Sequence, residues 1–91
     1  MKNTIAKTEL WFCQGSSDKV YNATITKQDG TYNLIAEYGR RGSFLNKYVK
    51  ASGMSFYKAE REYIKLINSK KDKGYEEVTS WMTKEGRTHS L

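Results

Sequence analysis

The chain has 91 residues, carries 16 Lys and Arg against 10 Asp and Glu for a formal charge of +6, and contains no proline. One domain fits that length and a two-domain cofactor enzyme does not, because a chain this small buries only about 60–65% of its unfolded surface. Seven Tyr, three Phe and two Trp exclude a solvated, disordered tail.

The opening stretch, MKNTIAKTE, lacks the apolar core of a signal peptide, and no apolar run approaches the ~18 residues that span a bilayer. A soluble, cytoplasmic chain without a membrane partner is expected. Residues 8–14 (TELWFCQ) read as a first strand. Cys13, next to Leu10-Trp11-Phe12, reads as a small buried hydrophobe and not as a reactive thiol. A single cysteine makes no intramolecular disulfide, which points to a reducing compartment. With His89 as the single histidine no structural zinc site can form. His89, in a Thr-His-Ser tail, is expected to be solvated.

A polar break at Gly15-Ser16-Ser17-Asp18-Lys19 precedes a second strand over residues 20–26. There Tyr21, Ala23 and Ile25 alternate with Asn22, Thr24 and Thr26, the period of a strand. Asp29-Gly30 is a tight hairpin turn, since glycine supplies positive φ. The chain returns along residues 31–38 with Tyr32, Leu34, Ala36 and Tyr38 on one side. Gly39-Arg40-Arg41-Gly42 breaks the run, and residues 44–50 (FLNKYVK) form a fourth strand. The period then changes. Ser55 is the expected N-cap of a helix over residues 56–71, in which Phe56, Ala59, Tyr63, Leu66 and Ile67 share one apolar stripe. Gly74 ends it, and Tyr75–Val78 returns as an edge strand. The tail is mostly polar apart from Trp81 and Met82, and is expected to be weakly ordered. The fold class predicted is α+β, an antiparallel sheet of four to five strands with one helix packed on it. A single domain covers residues 1–80, followed by a polar tail over 81–91.

Charge is concentrated in one part of the chain. Residues 38–73 hold ten positive side chains and three negative ones, a net +7, while the other 55 residues hold six and seven, a net −1. On the helix Lys58, Arg61 and Lys65 form a basic stripe opposite the apolar one. Such a face is either solvated or a site for a polyanion. No segment pairs bulky apolar residues with the basic face, which speaks against a membrane surface. In Tyr38-Gly39-Arg40-Arg41-Gly42 the glycines allow close backbone approach, the guanidiniums hold phosphates, and the phenol ring stacks. Tyr38 also shares its parity with Leu34 and Ala36, which would equally make it a core residue. A GxxG loop that clamps nucleotides in KH domains joins two helices; here a strand precedes it.

Tyr38-Gly39-Arg40 with Gly42 behind it, Ser17-Asp18-Lys19 and Tyr21 before it, and Ala59, Tyr63, Lys70 and Gly74-Tyr75 after it make an ordered set. The set resembles the WGR domain, named for Trp-Gly-Arg and found in DNA-break-dependent poly(ADP-ribose) polymerases and in many bacterial proteins. The resemblance spans roughly residues 9–78. It implies a twisted antiparallel sheet with one helix against it, and binding of DNA at strand breaks. Carried over, Tyr38 would pack against a nucleotide, Arg40 would contact phosphate or sugar, and Lys70 would contact the backbone. Asp18 and Lys19 would lie on the same edge. Arg41, Lys47 and Arg61 join the candidates on charge alone.

The resemblance departs in the motif itself, whose Trp is Tyr38 here and presents a smaller ring. Asp18 also brings a negative charge to an edge meant for DNA. Nothing in the chain matches the polymerases' catalytic domain, so no ADP-ribose transfer is expected. One His and one Cys leave only carboxylates and lysines for acid–base work, at no spacing that suggests a site. The expectation is a non-catalytic nucleic-acid-binding module, DNA favoured, without cofactor or small-molecule substrate. The alternative is a protein-interaction module docking on an acidic partner through an apolar patch that includes Trp11, Phe12 or Trp81.

Overall fold

The computed structural model describes residues 2–90, with side chains from 3 to 87, so the expectation for His89 falls outside the described side chains. The elements run β1 (Lys2–Gln14), β2 (Ser17–Gln28), β3 (Thr31–Arg40), β4 (Asn46–Met54), α1 (Phe56–Asp72), β5 (Glu76–Met82) and α2 (Lys84–Ser90). The five strands form one antiparallel sheet in the order β4-β3-β2-β1-β5, with α1 packed across one face. This is the α+β class expected from the change of period. Among the described residues no helix is long and apolar enough to cross a membrane.

Local sequence accounts for most of these elements. Asp29 (φ 53°) and Gly30 (φ 79°) both take positive φ, the backbone of a two-residue hairpin turn whose twist matches the strands. Ser55 caps α1, its hydroxyl accepting from the Lys58 N–H at 3.2 Å. The helix buries Phe56, Ala59, Tyr63, Leu66 and Ile67, the stripe read from the 3.6 period. Each of the larger four stabilises by about 1.5–3 kcal/mol on burial. They pack on Leu10, Tyr21, Ala23, Ile25, Leu34 and Ala36 of the sheet. At the helix end the Gly74 N–H bonds Lys71 and the Tyr75 N–H bonds Lys70. Gly74 has φ 101°, and a Cβ there would stand 3.0 Å from the Phe12 ring, so both backbone and space require glycine.

Four expectations for the strands and for Cys13 need correction. β1 begins at Lys2, six residues earlier than the predicted strand. A bulge between Thr4 and Ala6 buries the adjacent Ile5 and Ala6 together, which erases the period-two signal. The polar break at 15–19 shrinks to the turn Gly15-Ser16, and Ser17, Asp18 and Lys19 pair with Gln14, Cys13 and Phe12. β4 runs over 46–54 instead of 44–50, leaving Phe44 and Leu45 in the loop. Cys13 is exposed, not buried. It shares parity with Trp11, and both lie on the face away from α1, whereas Leu10 and Phe12 face the helix.

The described part of the tail, residues 81–90, is structured. Trp81 and Met82 complete β5, and α2 docks on the sheet. Thr83 donates its N–H to the Ile5 carbonyl at 2.8 Å, and the Glu85 carboxylate takes Lys27 at 2.9 Å and the Tyr32 hydroxyl at 3.0 Å. A polar composition hid a segment held by specific polar contacts.

Candidate nucleic-acid interface

The turn 15–16, the loop 41–45 and the C-terminal end of α1 meet at one end of the sheet. Hairpin register sets Tyr21 opposite Tyr38 and Lys19 opposite Arg40 on the helix side. Tyr48, from β4, comes alongside. Tyr21 is buried and organises the cluster. Its ring stacks on Tyr38 (6.2 Å, 21°), meets Tyr75 edge-on (6.3 Å, 74°), and its hydroxyl hydrogen-bonds that of Tyr48 at 2.9 Å. Tyr38 in turn meets Tyr48 at 5.8 Å and 77°. Phe12 closes the far side against Tyr75, with centroids 5.4 Å apart. Such aromatic pairs add ~0.5–1.5 kcal/mol beyond their burial and hold the rings in fixed orientations.

Tyr38 ends up between its two predicted roles. Its inner side packs on Tyr21, yet 41% of it remains exposed, so the same ring is both packed and presented to solvent. It lines a shallow cleft of about 410 Å³ together with Gly39 and Arg40 from β3, Ser16 from the turn, and Ser17, Asp18 and Lys19 from β2. Gly39 is a matter of space here. A Cβ there would stand 3.3 Å from Leu45 Cδ2, so the absent side chain lets the 41–45 loop fold back on the strand. Gly42, with φ 86° and nothing within 4 Å of its would-be Cβ, is conformational only.

Positive charge rims this cleft. Lys70 Nζ lies 4.4 Å over the Tyr21 ring, and Lys19 Nζ lies 5.7 Å over Phe12. Burial, then Lys73 and Lys50, holds the Lys70 ammonium below the usual lysine range. An anion at this position would offset that penalty. The Tyr21 phenol is pushed far upward by burial and by its bond to Tyr48, and stays neutral.

Of the eight residues predicted, Lys19, Tyr38, Gly39 and Arg40 share this cleft and Lys70 stands beside it across Tyr21. The remaining three lie elsewhere. Arg41 turns to the opposite face, its guanidinium 4.4 Å over Trp11 and its Nε 3.0 Å from the Asp18 carboxylate. Lys47 sits on that same far face with Glu37, Thr24 and Trp81. Arg61 lies on the outer side of α1, over Tyr57 at 5.6 Å. Asp18, expected to bring negative charge to the site, lines the cleft, and its carboxylate is engaged by Cys13 and Arg41 while also feeling the charge of Arg40. Bonds from the Cys13 thiol and from Arg41 hold its pKa low. The same bond raises the Cys13 pKa, which disfavours a thiolate.

Sequence reasoning missed Tyr21, Tyr48, Tyr75, Phe12, Lys50 and Lys73 as parts of one cluster. The signal for the first was available: across a two-residue turn at 29–30, residue 21 must face residue 38. The apolar side chains offered for protein docking are dispersed. Trp11 lies under Arg41, Phe12 packs on Tyr75, and Trp81, 46% exposed, sits on the β5 edge. Val49, the exposed apolar residue of the same row, is on β4, four strand spacings or roughly 19 Å away.

The family model of the WGR domain matches residues 6–81 of the chain. No curated protein and no solved structure matches it.

Proposed function

Because the chain belongs to the WGR family, a family of binding modules known for nucleic-acid binding, we propose that it is a non-catalytic DNA-binding module. Its cleft end receives DNA at strand ends or nicks. The exposed part of Tyr38 packs against a nucleotide. Arg40 and Lys19, paired across β2 and β3 at the cleft, hold the phosphates on either side of it. Lys70 takes a further backbone phosphate across the tyrosine cluster.

One observation carries this reading. A half-exposed aromatic ring, itself stacked on a buried one, stands among three cations from three elements, and the most buried cation has its charge penalised. Stacking on such a ring tolerates any base, and phosphate neutralisation tolerates any sequence, so the module reads backbone and ends, not sequence.

The test is fluorescence anisotropy at several salt concentrations with blunt duplex, 5′-phosphorylated nicked duplex and single strand. Neutralising three phosphates gives a slope of log K against log salt of about −2.7. Nicked or open-ended duplex should bind more tightly than single strand. Affinity indifferent to salt, or unchanged in Arg40→Ala, contradicts the reading.

A further inference from the structure

Phe44 is 105% exposed, more than any other large apolar side chain in the described residues. A lone exposed apolar residue is ordinary when it lies on a loose loop. This loop is pinned at both ends. The Arg41 N–H donates to the Asp18 carbonyl at 2.9 Å, and the Ser43 N–H donates to the Arg40 carbonyl at 3.1 Å, closing a turn over Gly42. Arg41 itself is fixed by Trp11 and Asp18. On the other side Leu45 packs into the space left by Gly39, and the Phe44 carbonyl comes within 3.6 Å of where a Gly39 Cβ would stand. The backbone of Phe44 is therefore tied to β3 beside Gly39, which lines the cleft, while its ring stands in solvent at this end of the sheet.

We infer that Phe44 is a second stacking residue, which caps the outermost base exposed at a DNA end or nick while Tyr38 packs against the nucleotide inside the cleft. The inference rests on the DNA-binding reading above. A turn whose backbone is already pinned leaves only the side chain to be ordered on binding, and an aromatic ring on exposed base faces excludes water from both. An intact duplex presents no free base face, so the contribution is specific to interruptions in the helix. A phenyl ring on a basic loop could also enter an anionic bilayer, and the test separates the two.

Wild type, Phe44→Ala and Phe44→Trp are titrated against a blunt duplex, a nicked dumbbell and a sealed dumbbell of the same sequence, and against phosphatidylserine vesicles. Full exposure of the side chain means that circular dichroism and the unfolding midpoint stay unchanged in both variants. Phe44→Ala should weaken binding to the blunt and nicked molecules about tenfold, the equivalent of ~1.4 kcal/mol. Binding to the sealed dumbbell should not change, and Phe44→Trp should restore the loss. Equal loss on all three DNA molecules, no loss on any, or a loss confined to the vesicles overturns the inference while leaving salt-dependent DNA binding by the wild type intact. Wild type that fails to bind DNA removes the functional reading itself, and the inference with it.

Discussion

Arg40 and Arg41 are adjacent in the chain but serve opposite faces of the sheet. Arg40 lines the cleft with Tyr38 and Lys19, whereas Arg41 lies 4.4 Å over Trp11 and shares the Asp18 carboxylate. The pairing divides the labour within the Tyr-Gly-Arg-Arg-Gly stretch: one guanidinium lines the cleft, and the other anchors the turn beside it.

That division separates two substitutions. Arg40→Ala should reduce DNA affinity, flatten the salt slope by about one unit, and leave stability unchanged. Arg41→Ala should lower the unfolding midpoint by about 2–8 °C, from the ~0.5–1 kcal/mol that stacking on Trp11 contributes. Affinity would fall less than in Arg40→Ala. Calorimetry and anisotropy on the two variants distinguish the roles; equal effects would merge them.

Lys70 is expected to show opposite effects on folding and binding. Its pKa in the folded chain lies below the ordinary 10.5. The unfolded chain therefore binds more protons than the folded one across the window from the lowered value up to 10.5, and stability rises with pH there. Below that window the charge is present in both states and opposes folding. Lys70→Met keeps a hydrocarbon stem over Tyr21, so at neutral pH it should be no less stable than wild type while binding DNA more weakly. Wild-type affinity should also decline as pH rises through the lowered pKa, and the affinity of the Met variant should not. Thermal unfolding and anisotropy from neutral pH to 10.5 check both signs.

At Tyr38 the ring matters more than its hydroxyl. Tyr38→Phe should retain affinity, Tyr38→Ala should lose about tenfold, and Tyr38→Trp, the residue of the family's motif, should bind more tightly. Tyr38→Ala also removes the stack on Tyr21, an exposed loss of ~0.5–1.5 kcal/mol of stability. The measurement is a Kd for each variant alongside its urea midpoint. A Trp variant with weaker binding would mean that the cleft is shaped for the smaller ring.

Much of this arrangement can be read from the residues. The 3.6-period stripe of α1, its Ser55 cap and the Asp29-Gly30 turn are local, and each is found where propensity puts it. Register across that turn also places Tyr21 against Tyr38, so the core of the cluster was countable. Non-local features were not. Arg41 looks like Arg40 until the end of β3 and the position of Trp11 on β1 are known. Cys13 reads as buried from its apolar neighbours, but parity with Trp11 exposes it. The bulge at Thr4/Ala6 breaks the alternation that would have marked the first half of β1.

α2 was the least legible element, and Gly86 shows why. A Cβ at Gly86 would stand 2.6 Å from Met82 Cγ and 2.9 Å from Ile5 Cγ2, so the helix docks through an absent side chain. Gly86→Ala should cost ~1–3 kcal/mol by overpacking, seen as a lower urea midpoint with unchanged DNA affinity, since α2 lies away from the cleft. A loss of affinity at full stability would connect the tail to the site.

The central claim is that DNA is held on the helix side of the sheet, at the end where Lys19, Tyr38, Arg40 and Lys70 meet. Its most direct test is a residue-resolved NMR titration with 5′-phosphorylated nicked duplex. The expected shifts fall on the rings of Tyr38 and Tyr48, on the Gly39 and Arg40 amides and on the Lys19 and Lys70 side chains, with the indoles of Trp11 and Trp81 unmoved. Shifts centred on Trp81, Lys47 and Thr24, with Tyr38 and Lys70 silent, would contradict it.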